Sequence, residues 1–581
     1  MILEPAGPDI AAVDRVATNP TDCVGIVRGP GESAHEYVFL TPDRNQKVKS
    51  GEFVTYDAVV DGLERRIFGR VGQRAQERRY PSGFLADPEV APSEIAGMLG
   101  YDPDLGGTEL DAVTVTILGY YDPEMKDFMN PRQPPRQGTP VRIAGDEELS
   151  LVLSKKQKGE VGSAHVGDLL SRPPGAAPIV LDVREITSTH LAIIAGTGSG
   201  KSYLAGVLIE ELMMAYNRAA VLIVDPHGEC DTLAEIANEY DFDDPDGYRP
   251  RARVFRPENI KVRVSGLTRA DFRYLLPDLS EKMTHILESA LKKVASNRRD
   301  GRTDEEGGVG VRWTLEDLHK AVDEVDPAED GKSSSTADAL HWRLDSVLKR
   351  SSTIFDDFQN LPLLDLFSPG QCTILQLNEV DHREQQVVVA TLLRRLYQAR
   401  LKTVKQAAAP GDELYLPFPI FAVIEEAHNF APYSGDGVAS GILKQILSEG
   451  RKFGVAVGLI SQRPGRLDAD VLSQCMTQFL LRIVNPLDQE SISRSVESVG
   501  RDLLKELPAL SKGQALLAGR AVNTPMLCRV RKRLTPHGAE DLNAPAEWIK
   551  YQQEDARTRD RNERPPIRTD RVELRGMPRK V

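Results

Sequence analysis

The run HLAIIAGTGSGKSYLAGVLIEELMMAYN, residues 190–217, passes from an apolar strand through a glycine-rich loop into a helix. HLAIIAG (190–196) is a near-continuous apolar strand, and SYLAGVLIEELMMAYN (202–217) carries apolar residues at helical spacing. Between them AGTGSGKS (195–202) has the composition and the setting of a phosphate-binding loop. Gly196, Gly198 and Gly200 let the backbone curl so that its N–H groups point at phosphate oxygens, with Thr197 and Ser199 between them. The helix N-terminus adds its partial positive charge. Lys201 is expected to reach the β- and γ-phosphates of ATP, and Ser202 to place its hydroxyl on Mg²⁺. The first motif position is Ala195 instead of glycine, which is tolerable if that residue keeps φ below zero.

A second motif, FAVIEEAHNF (421–430), is an apolar strand ending in two acids. Glu425 is assigned to the metal, through bound water, and Glu426 to the attacking water as general base. Aspartate is the more usual first member of such a pair, and glutamate is one methylene longer. The strand at 372–377 lies in sequence between the two motifs, which favours the additional-strand class of ATPases over the GTPase type. DPHGE (225–229) follows the strand AAVLIVD (219–225); Asp225 and Glu229 are candidates to face the nucleotide or a neighbouring subunit. Gln462, in ISQRP (460–464), is placed either to sense the γ-phosphate or to satisfy backbone groups as a buried amide. Arg451 and Lys452 stand at a helix end before a strand. Arg451 either points into a neighbour's site or interacts with its own helix dipole.

Outward from these motifs, the chain divides by texture. Residues 1–150 hold short β-branched and aromatic runs (36–42, 51–60, 64–71 and 112–121) punctuated by Gly, Asp and Pro, the pattern of a small barrel or sandwich. Residues 151–180, with SRPPGAAP (171–178), read as a linker. The α/β core occupies 181–265 and 366–535, interrupted by a helical insertion at 266–365. Its strands include 418–424, 455–461 and 478–484, and their order and apolarity fit one parallel sheet wrapped by helices. Residues 536–581 are polar and aperiodic, and read as an extended arm or a disordered tail. The fold class expected is therefore α/β, a RecA-like P-loop ATPase core with an N-terminal small β-barrel or sandwich, a helical insertion and an extended C-terminal arm or disordered tail.

Composition narrows the function classes. The 581 residues carry 73 basic and 86 acidic side chains, a net charge of −13, so the surface as a whole is no nucleic-acid coat; a local basic channel is still allowed. The five cysteines (Cys23, Cys230, Cys372, Cys475, Cys528) are scattered, which argues against a disulfide framework or a cysteine zinc site. No apolar run is long enough to span a membrane, and MILEPAGPDIAAVDR lacks the pattern of a signal peptide, so a cytosolic protein is expected. His227 and His428 lie inside the nucleotide motifs and are expected to serve the loops or the packing instead of a metal.

With these motifs assembled, the chain resembles the HerA family of hexameric DNA translocases and helicases, relatives of FtsK. The resemblance rests on AGTGSGKS (195–202), IVDPHGE (223–229), VIEEAHNFAP (423–432), SEGRKFGV (448–455), LISQRPGRLDADVLSQC (459–475) and RIVNPLDQESI (482–492). It implies a homohexameric ring with ATP sites between subunits and duplex DNA in the channel. It raises Arg451 to a finger acting in trans and Gln462 to a sensor. It also implies a NurA-type nuclease, or another effector, docked at the N-terminal barrel. Arg463 and Arg466 are candidates for a channel loop, with a solvated loop or an intersubunit ion pair as the plainer reading. Two other readings are an ATP-binding hexameric scaffold that activates a nuclease, and a DNA pump of the conjugative type.

Overall fold

The computed structural model describes residues 23–30, 34–42, 47–77, 110–122, 124–125, 127–296, 312–327, 334–350, 353–434, 437–496, 499–536 and 543–562. The polar loop read at 297–310, and much of the one at 329–336, lie outside these residues.

The N-terminal strands are β1 (Cys23–Pro30), β2 (Glu36–Thr41), β3 (Phe53–Val60), β4 (Leu63–Glu77), β5 (Leu110–Asp122), β6 (Asp127–Met129) and β7 (Pro140–Ile143). They pair antiparallel in the order β2-β1-β7-β3-β4-β5, and β2 also pairs with β5, which closes a six-stranded barrel. Closure leaves no free edge among the six strands. In β5 every second residue from Val113 to Gly119 is buried, so one face fills the barrel while the other faces out. Tyr37, Phe39, Tyr56, Ile67 and Val115 form that interior. Register shifts in the β4–β5 pair, at Phe68/Gly69 and Val71/Arg74, bend the long β4 around the barrel.

Helix α1 (Asp146–Leu153) leads into β8 (Ser163–Leu169) and β9 (Pro178–Asp182). The core continues with β10 (Leu191–Ile194), helix α2 (Lys201–Met213), β11 (Ala220–Asp225) and β12 (Arg251–Phe255). The short pair β13 (Val262–Arg263) and β14 (Phe355–Asp356) brackets helices α3 (Glu281–Ser296), α4 (Leu315–Val325) and α5 (Ser335–Asp345). Then come β15 (Gln371–Gln376), helix α6 (His382–Val404), β16 (Ile420–Ile424), helix α7 (Ser440–Glu449), β17 (Val455–Ser461), β18 (Thr477–Leu480), β19 (Gln514–Gly519) and β20 (Met526–Val530).

These strands form one eleven-stranded sheet in the order β12-β15-β11-β16-β17-β10-β18-β19-β20-β8-β9. Strands β12 to β18 are parallel, and the remaining four pair antiparallel. Every residue of β10, β11, β15, β16, β17 and β18 is buried, as strands covered on both faces require. Leu191 and Ile193 face one apolar layer, which also holds α2 residues such as Leu204 and Leu208. Ala192 and Ile194 face the other, shared with α6 and the helical insertion.

Two expectations change here. The sheet is mixed instead of all parallel. The stretch read as a linker at 151–180 holds β8 and the start of β9, which extend the core sheet, with most of the Pro/Gly-rich 171–178 lying in the connection between them. Helix α3 shows how the insertion packs: Ile286, Leu287, Ala290, Leu291 and Val294 are its buried stripe. The C-terminal segment forms a separate unit, and its residues Ala544–Asn562 make helix α8, with polar residues dominating its sequence.

Candidate functional site: a nucleotide-binding centre at the strand ends

Strand β10 lies between β17 and β18, in register Ile194 to Ser461 and Ile194 to Leu480. The loop leaving β10 is therefore held by both neighbours. The Ala195 N–H donates to the Ser461 carbonyl at 3.1 Å, and the Gly196 N–H to the Arg482 carbonyl at 2.9 Å. A side chain on Gly196 would meet that Arg482 carbonyl at 2.9 Å, so only glycine fits. Gly198 (φ 73°) and Gly200 (φ 100°) take the left-handed conformations that curl the loop. Ala195 keeps φ below zero, which is why alanine is accepted there.

Strands β11, β16, β17 and β10 end side by side in parallel, which brings their loops together. Lys201 Nζ lies 2.9 Å from Glu426 Oε1 and 3.8 Å from Glu229 Oε2. Ser202 Oγ donates to Glu229 Oε2 at 3.2 Å. Gln462 joins two of the motifs: its Nε2 donates to Glu426 Oε1 at 2.6 Å, and its Oε1 accepts from Thr197 Oγ1 at 3.1 Å. His428 Nδ1 stands 3.3 Å from Glu426 Oε2 and 3.1 Å from Ser461 Oγ. Glu426 itself has φ 48°, a left-handed conformation unusual outside glycine.

The two adjacent glutamates are driven apart in acidity. Burial pushes Glu425 up to about 7, with Asp225, Glu229 and Glu426 adding to the effect against the pull of Lys201. Both of its carboxylate oxygens are buried without a hydrogen-bond partner. Burial also acts to raise Glu426, but Lys201, His428 and Gln462 outweigh it and hold this carboxyl below its usual range. Burial opposes the charge on Lys201, while Glu425, Glu426 and Glu229 together keep its ammonium above the ordinary value. Asp225 is occupied: Oδ1 accepts from the N–H groups of His227, Gly228 and Glu229, and Oδ2 from that of Cys230. It shapes the turn that delivers Glu229 to Ser202.

A divalent cation with a bound nucleotide fits this centre. The orphaned oxygens of Glu425 and the hydroxyl of Ser202 are oxygen donors of the kind Mg²⁺ takes. Sequence reasoning missed the contact of Glu229 with both Ser202 and Lys201, and the contact of His428 with Glu426. The only signal for either was membership of the motifs.

Arg451 sits elsewhere. It is exposed in the turn Gly450–Phe453, before β17, whereas Gln462 follows the other end of that strand. Seven strand residues at roughly 3.3 Å each separate it from its own phosphate loop by on the order of 20 Å. Arg463 and Arg466 are exposed on the loop after β17, close enough to His428 to weigh against its protonation.

The expected additional strand is present, but it is β17, inserted in space between β10 and β16. Strand β15, which precedes the glutamates in sequence, lies on the far side of β11. Fold and site together define a P-loop ATPase of the additional-strand class. Comparison with known proteins goes further. The family model described as "Helicase HerA, central domain" matches residues 164–396. The chain is 28% identical over 564 residues to "DNA double-strand break repair helicase HerA" of Pyrococcus furiosus, covering 91% of this chain and 97% of that one. It is 29% identical over 431 residues to the protein of the same name from Sulfurisphaera tokodaii, covering 73% and 79%. Among solved structures, VirB4 of Thermoanaerobacter pseudethanolicus aligns with a TM-score of 0.45 at 15% identity, covering 65% of this chain and 98% of that one. The chain is thus similar to the HerA central domain over residues 164–396 and to HerA helicases along nearly its whole length.

Proposed function

We propose that this chain is an ATP-driven translocase or helicase acting on double-stranded DNA as a homohexamer. The observation that carries the reading is Gln462, bonded at once to Thr197 of the phosphate loop and to Glu426. A single side chain there links nucleotide state to the base and to the loop bearing Arg463 and Arg466. In the arrangement described, Lys201 holds Glu426. Phosphates in the loop draw Lys201 away and free Glu426 to take the proton of a water attacking the γ-phosphorus. Glu425, Ser202 and Glu229 are the residues assigned to magnesium, which when bound neutralises phosphate charge. Gln462, regaining both partners as the phosphate departs, shifts its loop against DNA.

Arg451 is assigned to the neighbouring subunit's site. Its distance from its own loop leaves no role there in cis, and among the described residues no acid pairs with it. The barrel is assigned as the docking face for a NurA-type nuclease or other effector; the exposed apolar residues Val59 and Leu63 at the β3–β4 hairpin support this. Among the described residues no helix is long and apolar enough to cross a membrane, in keeping with a cytoplasmic role.

The test is ATP hydrolysis with and without long duplex DNA, at low and moderate salt, for wild type and Arg451→Ala. The expected result is DNA-stimulated turnover that weakens with salt and falls by roughly 10³-fold or more in the variant. Mixing Arg451→Ala with Glu426→Gln restores part of the activity if sites form between subunits. Turnover indifferent to DNA and to Arg451 overturns the reading. No turnover at all favours the scaffold that holds and activates an effector.

A further inference from the structure

A second cluster of titratable side chains lies in the helical insertion, away from the nucleotide centre. Helices α4 and α5 each carry a histidine followed four residues later by an aspartate: His319 and Asp323, His341 and Asp345. The side chains cross between the helices. His319 Nε2 lies 3.1 Å from Asp345 Oδ1, and His341 Nε2 lies 2.8 Å from Asp323 Oδ1. The two Nδ1 atoms face one another in direct contact, with ring centroids 4.5 Å apart.

Hydrogen counting makes this arrangement incomplete by one positive charge. Ionised carboxylates only accept, so each Nε2 must carry the ring's hydrogen. A neutral imidazole then has a bare lone pair on Nδ1, and here two such lone pairs point at each other. Something positive belongs between them. The aspartates provide balancing negative charge and, by holding the Nε2 hydrogens, fix both rings in the tautomer that ligates through Nδ1.

We propose that His319 and His341 bind a divalent transition-metal ion of the zinc class through their Nδ1 atoms and so staple α4 to α5. Imidazole nitrogen suits zinc, cobalt, nickel and copper, whereas the magnesium of the nucleotide centre seeks oxygen. Metal–nitrogen bonds of about 2.0–2.1 Å require the rings to rotate slightly apart. Both imidazoles are half-buried near the helix surface, which leaves them free to do so. Water completes the coordination. The rival occupant is a shared proton.

The experiment uses the full chain, stripped with a chelator and kept in excess Mg²⁺, titrated with Co²⁺ and separately with Zn²⁺. The expected result is one equivalent per chain in the micromolar range or tighter, with cobalt d–d bands and no thiolate charge-transfer band. The missing band distinguishes this site from the buried group Asp225, Cys230 and Glu425. His319→Gln and His341→Gln each abolish that equivalent, and Asp345→Asn weakens it by roughly 10- to 100-fold. Nucleotide binding and helical circular dichroism unchanged in Asp345→Asn show that folding is intact. Cobalt binding unaltered in either histidine variant overturns the proposal. So does a wild type that binds neither ion in the micromolar range, which leaves the shared proton in its place.

Discussion

Glu426 is held in a left-handed backbone conformation, which costs an L-residue roughly 1–2 kcal/mol. That cost is offset by three side chains converging on its carboxylate: Lys201, Gln462 and His428. The same contacts keep it ionised beside a neighbour, Glu425, that is half neutral near pH 7. A base must stay charged, as Glu426 does, whereas a cation held at Glu425 would itself favour the ionised form of that carboxyl. Glu426→Gln keeps the Gln462 contact available and removes the basicity, together with the negative charge that Lys201 meets. We expect its steady-state ATP turnover to fall about 10²- to 10⁴-fold with nucleotide affinity retained, measured by phosphate release and by binding of a fluorescent nucleotide. A parallel loss of affinity would instead place Glu426 in ground-state binding. A second residue carries a pH effect remote from chemistry. His190 accepts the Val457 N–H on Nδ1 at 3.2 Å and contacts the Leu447 carbonyl through Nε2 at 3.1 Å. Its neutral form is fully satisfied, and burial lowers it to about 4. The unfolded chain, with an ordinary histidine, binds the proton first as pH falls. His190 therefore contributes stability that is whole above pH ~6.5 and is lost as pH drops to ~4, on the order of 3 kcal/mol in all. Thermal unfolding from pH 7.5 to 4.5 should show a flatter slope in His190→Asn than in wild type; parallel slopes would remove His190 from the balance.

Elements differed in how far the sequence revealed them. The buried parallel strands at 190–196, 219–225, 372–377, 418–424, 455–461 and 478–484 were legible because both faces are covered, which forces unbroken apolar runs. Strands β19 and β20 were missed: their core-facing residues sit among Gly, Arg and Pro in a segment whose pairing is set only by long-range contacts. Strand β12, RARVF, reads as polar because it is the sheet edge. The phosphate loop and the glutamate pair were legible as motifs, but their relation was not. Which strand separates them depends on sheet order, and sequence order suggested the wrong one. Nor could sequence show that helix α2 is clamped from behind. Glu210 and Glu211, both buried on α2, receive Arg531 at 2.9 and 2.8 Å, and Glu210 also accepts from the Leu534 and Thr535 backbone. Gly206 leaves room for Arg533 against the same helix. The segment after β20 thus fixes the helix that presents Lys201. Arg531→Ala removes the positive charge that faces two buried carboxylates, and we expect a loss of about 3–5 kcal/mol in urea unfolding. A loss under 1 kcal/mol would mean that water relieves the glutamates and that the clamp is a surface feature.

Across the whole molecule the question is how an event at the nucleotide reaches the barrel. A flexible linker would uncouple them, and the Pro/Gly content of 171–178 suggested one. The structure replaces that tether with a packed junction. Phe53 and Phe68 of the barrel share an apolar layer with Leu169, Ile179 and Met526 of the core sheet. Arg172, from the β8–β9 connection, donates through Nε to both oxygens of the buried Glu52, at 3.0 and 2.9 Å. It also reaches Asp146 at 2.6 Å and the Ala144 carbonyl at 2.8 Å. Arg70, itself buried in the barrel wall, meets Asp502 at 3.2 Å and the Pro525 carbonyl at 3.1 Å. Two desolvated arginines on opposite chains of contact resist rotation of the barrel far more than a single apolar patch would, because each has a preferred direction as well as a depth. A barrel so anchored melts with the core. Scanning calorimetry of the nucleotide-free protein should give one transition for barrel and core together. Removing both anchors, Arg70→Ala with Arg172→Ala, leaves Glu52 buried without its partner and should split off an earlier, smaller transition belonging to the barrel. If the double variant still melts as one unit, the apolar layer alone couples the two, and Phe68→Ala becomes the substitution that separates them.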